Sequence, residues 1–217
     1  MNEVYDNNMK FIPLLKFLDK YKKVLIFLGV LIVSLTLYFL VTAAINKKNH
    51  EEAAIVYGDW LEKFSSEETR TEELNEIIST LVNEYESTGY TQVALLSKAN
   101  LDANNNNFDE ALAGFEKLIE ITNGYNGNKI FNKIGRVSAA RIKLANGDFD
   151  EALEFIQKYS SSDTNAYIHE LTGDILLKKE QLKLAKSQYQ TAFEKYSDQT
   201  SRSIISMKLA NLEASIE

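Results

Sequence analysis

From Val24 to Ile45 the chain runs without a charged side chain, and the rest of the molecule has to be fitted around that run. An α-helix needs roughly 20 apolar residues to cross a hydrocarbon core of about 30 Å. Inside lipid the backbone has no water to bond, so a spanning stretch of this kind is a helix. Residues 24–45 are therefore expected to form one transmembrane helix. The competing reading is a cleaved secretory signal, whose apolar region is usually about 7 to 15 residues. The length of the run and the poor cleavage site at Val41-Thr42-Ala43 speak for a retained span.

The flanks set a direction. Lys10, Lys16, Lys20, Lys22 and Lys23 precede the run, whereas Lys47 and Lys48 follow it and give way to Glu51 and Glu52. Lysine and arginine are kept preferentially on the cytoplasmic side. Residues 1–23 are thus expected to be a cytoplasmic basic segment and residues 46–217 an exported domain. Phe11, Ile12, Leu14, Leu15, Phe17 and Leu18, which interleave with Lys10, Lys16 and Lys20, read as a basic stem that continues the helix. A membrane-surface helix is the alternative there.

Beyond the span the chain is long enough for one domain with a core of its own. With 9 glycines and 1 proline in 217 residues it lacks the turn chemistry of β folds. Its many Ala, Leu, Glu and Lys residues suit helices, and the expected class is all-α. There is no cysteine, which excludes disulfides, thiolate metal sites and a lipidated cysteine. A net charge of -7 without a basic stripe in the exported part argues against nucleic acid as a partner.

Ala53, Val56, Tyr57, Trp60, Leu61 and Phe64 recur at helical steps, as do Leu74, Ile77, Ile78, Leu81 and Tyr85. Two lead-in helices are expected over 51–87, parted by Ser65-Ser66-Glu67-Glu68, with the glycine of Ser87-Thr88-Gly89 closing the second. A pattern then repeats. Asn107-Phe108-Asp109-Glu110-Ala111-Leu112 returns as Asp148-Phe149-Asp150-Glu151-Ala152-Leu153, and more loosely as Gln181-Leu182-Lys183-Leu184-Ala185-Lys186. In the first two copies Asn107 or Asp148 can cap a helix that Glu110 or Glu151 supports from its first turn.

Alignment on Ala111, Ala152 and Ala185 also aligns small residues twelve positions earlier, Ala99, Ala140 and Gly173, and bulky ones four later, Phe115, Ile156 and Tyr189. Small residues let paired helices approach closely, and a large one fills the gap to the next pair. This is the pattern of tetratricopeptide-like repeats, expected over about 90–122, 130–160 and 166–196. The last two helix starts are 33 residues apart, near the ~34 of that repeat. The first two are 41 apart, and the Gly/Asn-rich stretch 123–128 accounts for the excess. A final helix over 201–216, with Ile205, Leu209, Leu212 and Ile216 on one face, would cover the end of the α-solenoid.

Catalytic chemistry finds no foothold. His50 and His169 have no partner at metal-ligand spacing, and His169 reads as a helix-surface or satisfied core residue. No phosphate-binding glycine loop is present, and paired carboxylates such as Glu67-Glu68, Glu72-Glu73 and Asp109-Glu110 suit helix starts. No cofactor is expected and the chain reads as a binding protein rather than an enzyme. Phe108, Phe149 and Trp60 are assigned to the core with Phe115 and Tyr189, which leaves Tyr90, Tyr125 and Tyr167 as candidate exposed partner-binding residues.

The order of parts resembles a known family. A lysine-bearing segment (Leu15-Lys16-Phe17-Leu18-Asp19-Lys20), one span, a helical lead-in and three repeats ending in Met207-Lys208-Leu209-Ala210-Asn211-Leu212 are similar to the YfgM-like ancillary subunits of the SecYEG translocon. The local matches lie around Ala94 to Glu120, Arg136 to Tyr159 and Thr172 to Phe193. The resemblance implies a bacterial inner-membrane protein that associates with SecYEG and with a membrane-anchored periplasmic chaperone of the prolyl-isomerase type, assisting newly exported proteins. It implies no enzymatic activity. A tetratricopeptide scaffold of another cell-envelope assembly complex is the alternative.

Overall fold

A computed structural model describes residues 3–66, 71–125, 127–159 and 165–214. Glu67, Glu68 and Ile216 lie outside the described residues. The described elements are α-helices with one short 3₁₀ turn at Gln157–Tyr159. In order they are α1 (Glu3–Phe64), α2 (Thr71–Glu84), α3 (Gly89–Asn104), α4 (Phe108–Ile121), α5 (Lys129–Asn146), α6 (Phe149–Ile156), α7 (Ala166–Lys178), α8 (Leu182–Lys195) and α9 (Gln199–Ala214). The chain forms two compact units, Met1–Glu52 and Ala53–Glu217.

The first unit is helix throughout its described length. It holds a stretch long and apolar enough to cross a membrane, with a mean hydropathy of 2.8. Residues 14–41 are exposed throughout, including Phe27 at 67% and Phe39 at 65%. So large an apolar surface without protein against it calls for lipid.

The second unit is a stack. From α2 to α9 each helix packs on the next, and α3, α5 and α7 also touch across the stack. The core accordingly comes in successive clusters rather than one centre. Trp60, Leu74, Ile77, Leu81 and Ala94 form the first, and Ala99, Ala111, Phe115, Ile119, Ala139 and Ile142 the second. Ala140, Ala152, Ile156, Leu171 and Ile175 form the third, and Leu176, Ala185, Tyr189, Ala192, Ile205 and Leu212 the fourth. Phe155 packs on both the second and third clusters, and Leu153 on both the third and fourth.

The aligned small and large residues sit at the helix crossings. Ala99, Ala111, Phe115, Ala140, Ala152, Ile156, Ala185 and Tyr189 are each no more than 2% exposed. A Cβ added to Gly173 would lie 2.6 Å from the Tyr189 ring, and one on Gly114 would lie 2.9 Å from the Ala99 Cβ. The tyrosine is bulkier than the isoleucine that fills its place one unit earlier, and it has a glycine, not an alanine, beneath it.

Several local expectations need correction. Gly89 does not end α2; it opens α3, because Thr88 is extended and its hydroxyl accepts the Thr91 N–H. The first lead-in helix is not a separate element but the end of α1. Leu61, assigned to its apolar face, is 47% exposed, and Phe108, assigned to the core, is 39% exposed.

Asn107 and Asp148 occupy the N-cap positions of α4 and α6, yet neither side chain caps. Their backbone N–H groups are already taken, by the carbonyls of Asp102 and Lys143 at 2.9 Å. Gln181 repeats the arrangement through Leu176 O, also at 2.9 Å. Each unit thus makes the same tight turn, with Asn106, Gly147 and Glu180 at φ 62°, 88° and 58° in its left-handed position. The turn takes the N–H that Glu151 would accept in a capping box, so Glu151 pairs with Lys143 at 2.6 Å instead. It also leaves Asn107 and Asp148 at ψ 69° and 63° rather than in the extended backbone of the capping Thr88 and Asn165, at 150° and 161°.

Candidate functional site

The helices that touch across the stack, α3, α5 and α7, wall a row of connected clefts that continues to α9. The first, about 300 Å³, is lined by residues including Asn100, Asn104, Phe108, Ser138, Arg141 and Ala145. Arg141 and Ala145 also line the second, about 760 Å³, together with Phe149, Tyr167, Leu171, Asp174, Leu177 and Lys178. Asp174 and Leu177 pass on to the third, about 200 Å³, beside Tyr189, Lys208, Asn211 and Leu212. The shared walls make one groove along the inner helices.

The groove is built by the repeat itself. The residue after each aligned small one lines it, namely Asn100, Arg141 and Asp174, and so does the residue one turn further on, namely Asn104, Ala145 and Lys178. The inner helices begin on side-chain caps, as α9 does on Asp198, whose Oδ1 accepts the Ser201 N–H. Asn128 Oδ1 accepts the N–H groups of Ile130 and Phe131, and Asn165 Oδ1 accepts that of Ile168. These caps hold the starts of α5 and α7 and so fix the height at which Arg141 and Asp174 enter the groove.

At the far end lies a polar cluster. Lys208 on α9 donates to Glu170 Oε1 at 2.8 Å and to both Asp174 oxygens at 2.7 and 2.8 Å. Tyr196 donates to Glu170 Oε2 at 2.6 Å, and Tyr189 to Asp174 Oδ1 at 2.8 Å. Burial alone would pull the Lys208 ammonium down, but its bonds to Asp174 and Glu170 and their charges together hold it above the usual lysine value. The Tyr189 and Tyr196 hydroxyls are pushed well up, first by burial and then by the carboxylates they bond. Burial likewise raises Tyr167, partly opposed by the Arg141 charge. Asp174 belongs to both the groove wall and this cluster.

Of the three candidate tyrosines, only Tyr167 lines the groove. Tyr90 is not an exposed residue: it is half-buried, its ring 5.2 Å from that of Tyr57. Tyr125 is 99% exposed on the loop after α4. The groove residues Asn100, Arg141, Asp174 and Lys178 escaped sequence reasoning, although their fixed offset from the aligned alanines was a signal that could have found them. His169 is 2% exposed with its Nδ1 2.8 Å from Gln188 Oε1. Among the described residues no group of three or more His, Cys, Asp or Glu is placed to hold a metal ion.

A string of small-on-large helix crossings with a groove along the inner helices is what a tetratricopeptide stack presents, and residues 16–214 match the family model described as a tetratricopeptide repeat-like domain. The chain belongs to this family. A curated relative, from Aggregatibacter actinomycetemcomitans, is named an ancillary SecYEG translocon subunit. It is 27% identical over 137 residues, covering 63% of this chain and 65% of the relative. The present chain thus aligns with just under two thirds of that protein's length, and its name agrees with the YfgM-like resemblance carried by the residues. No solved structure matches the chain.

Proposed function

We propose that this protein is a membrane-anchored, non-enzymatic protein-binding scaffold, an ancillary subunit of the SecYEG translocon in a bacterial inner membrane. In this reading residues 24–45 span the membrane, 1–23 face the cytoplasm, and the tetratricopeptide domain stands in the periplasm. There it holds a membrane-anchored chaperone of the prolyl-isomerase type near the translocon and assists newly exported chains. The observation that carries the reading is the groove. Its walls present amide, guanidinium, carboxylate and ammonium groups in register along α3, α5 and α7, which suits an extended or helical protein segment lying across the units. The lysine bias before the apolar run supports the orientation, and the relative's name supports the translocon as the site of action.

Purification of the full-length protein from its own membranes in mild detergent, followed by mass spectrometry, tests this. Translocon subunits and a periplasmic chaperone are expected, with loss of the translocon when residues 24–45 are replaced by an unrelated span. Recovery of a different envelope complex, without translocon subunits, would overturn the assignment.

A further inference from the structure

The groove differs in charge from the chain around it. The sequence carries a net charge of -7, yet among the described residues Asp174 is the one acidic side chain lining the three clefts. That carboxylate is already bonded by Lys208 and Tyr189. Elsewhere in the domain Lys98, Lys117, Lys143, Lys179 and Lys186 each pair with a carboxylate. Arg141 and Lys178 do not. Both line the cleft of about 760 Å³, both are exposed, and neither makes an ion pair or a hydrogen bond among the described residues.

Two unanswered cations in one cleft make a positive field that a ligand bearing carboxylates complements. The other walls decide which ligand that is. Leu144, Phe149, Leu171 and Leu177 give the cleft apolar sides, which a leucine or phenylalanine side chain fills and a free anion does not. In the neighbouring cleft Asn100 and Asn104 hold exposed amides, able both to donate to and to accept from a peptide backbone. Arg141 lines both clefts, so backbone, charge and apolar contacts fall along one continuous groove.

We infer that the partner segment in the groove is an extended acidic peptide, whose carboxylate side chains meet Arg141 and Lys178 while its large apolar side chains enter the cleft beside Phe149 and Leu171. The inference rests on the scaffold reading and gives the chemistry of what the scaffold holds.

Isothermal titration calorimetry on the full chain in nanodiscs of zwitterionic lipid tests it. The probes are short peptides, capped at both ends, in which glutamate alternates with leucine or phenylalanine, and the same peptides with glutamine or lysine in place of glutamate. The acidic peptide is expected to bind with a Kd on the order of 10–100 μM, more weakly as salt rises, and the glutamine peptide at least about tenfold more weakly. Arg141→Gln or Lys178→Gln should each weaken the acidic peptide about fivefold, since either change leaves the other cation in place. The Arg141→Glu, Lys178→Glu double variant should lose the acidic peptide and bind the lysine peptide instead, with unchanged helical circular dichroism. Lys183→Gln, at an exposed lysine outside the groove, should change nothing. Equal affinity for the acidic and glutamine peptides, no binding of the acidic peptide, or acidic binding that survives the double variant would each overturn the inference. Translocon recovery from native membranes is read separately, so a failure of the scaffold reading shows there and a failure of the charge assignment shows here.

Discussion

The two ends of the helical stack are closed by opposite chemistry. At the amino-terminal end Trp60 is 1% exposed, its ring centroid 5.6 Å from that of Tyr57 and 4.4 Å from that of Phe64, with Tyr90 packed on Tyr57. At the carboxyl-terminal end α9 is held on α7 and α8 by Lys208, two carboxylates and two tyrosine hydroxyls. The first closure is area removed from water, insensitive to charge and tolerant of small shifts. The second depends on protonation and on every partner being present. A repeat stack whose units touch only their neighbours can thus be loosened from one end without the other.

The largest expected effect is at the aromatic end. Trp60→Ala should cost about 3–5 kcal/mol, since a fully buried indole leaves a cavity that the cluster cannot fill. A drop of that size in urea-unfolding stability checks it. Gly173→Ala comes next: its methyl would press into the Tyr189 ring at 2.6 Å, for a loss of about 1–3 kcal/mol in the same assay. Lys208→Met should cost about 2 kcal/mol, because it leaves Glu170 and Asp174 facing each other without a cation. The figure is reduced from that of a fully buried pair by their partial exposure.

The pH dependence separates the ends directly. Lys208, Tyr189 and Tyr196 all hold their protons more tightly folded than unfolded. Their stabilisation is therefore complete below their ordinary values of 10.5 and 10.0 and is lost as pH rises through the higher folded values. In an alkaline titration helical circular dichroism should fall before the fluorescence of Trp60, the chain's single tryptophan, changes. Coincident transitions would mean that the stack opens as one unit. In the Lys208→Met, Tyr196→Phe double variant the early alkaline loss should shrink.

The smallest effects concern helix starts, where the sequence was least legible. Period pointed to most of the helices, and the small and large residues twelve before and four after a common alanine are buried, because both are local patterns. Caps are not local in that sense. Asn107 and Asp148 look like caps and are not, since the preceding turn holds their backbone at ψ 69° and 63°, whereas Thr88, Asn128 and Asn165 have extended backbone and do cap. Asn165→Ala should therefore cost about 1 kcal/mol and Asp148→Ala much less. Glu180→Gly should stabilise by up to about 1 kcal/mol by relieving its left-handed backbone, read as a rise in thermal midpoint. The polar cluster at α9 was illegible for a different reason: Lys208 meets Glu170 across 38 positions, and no periodicity links them.

The groove carries the scaffold reading, and site-specific photo-crosslinking in native membranes tests it most directly. A photoreactive residue replacing Arg141, in the groove, is compared with one replacing Gln190, exposed on α8. A discrete protein adduct from position 141, absent from position 190, is the predicted result. Adducts of equal yield from both positions, or from 190 alone, would contradict it.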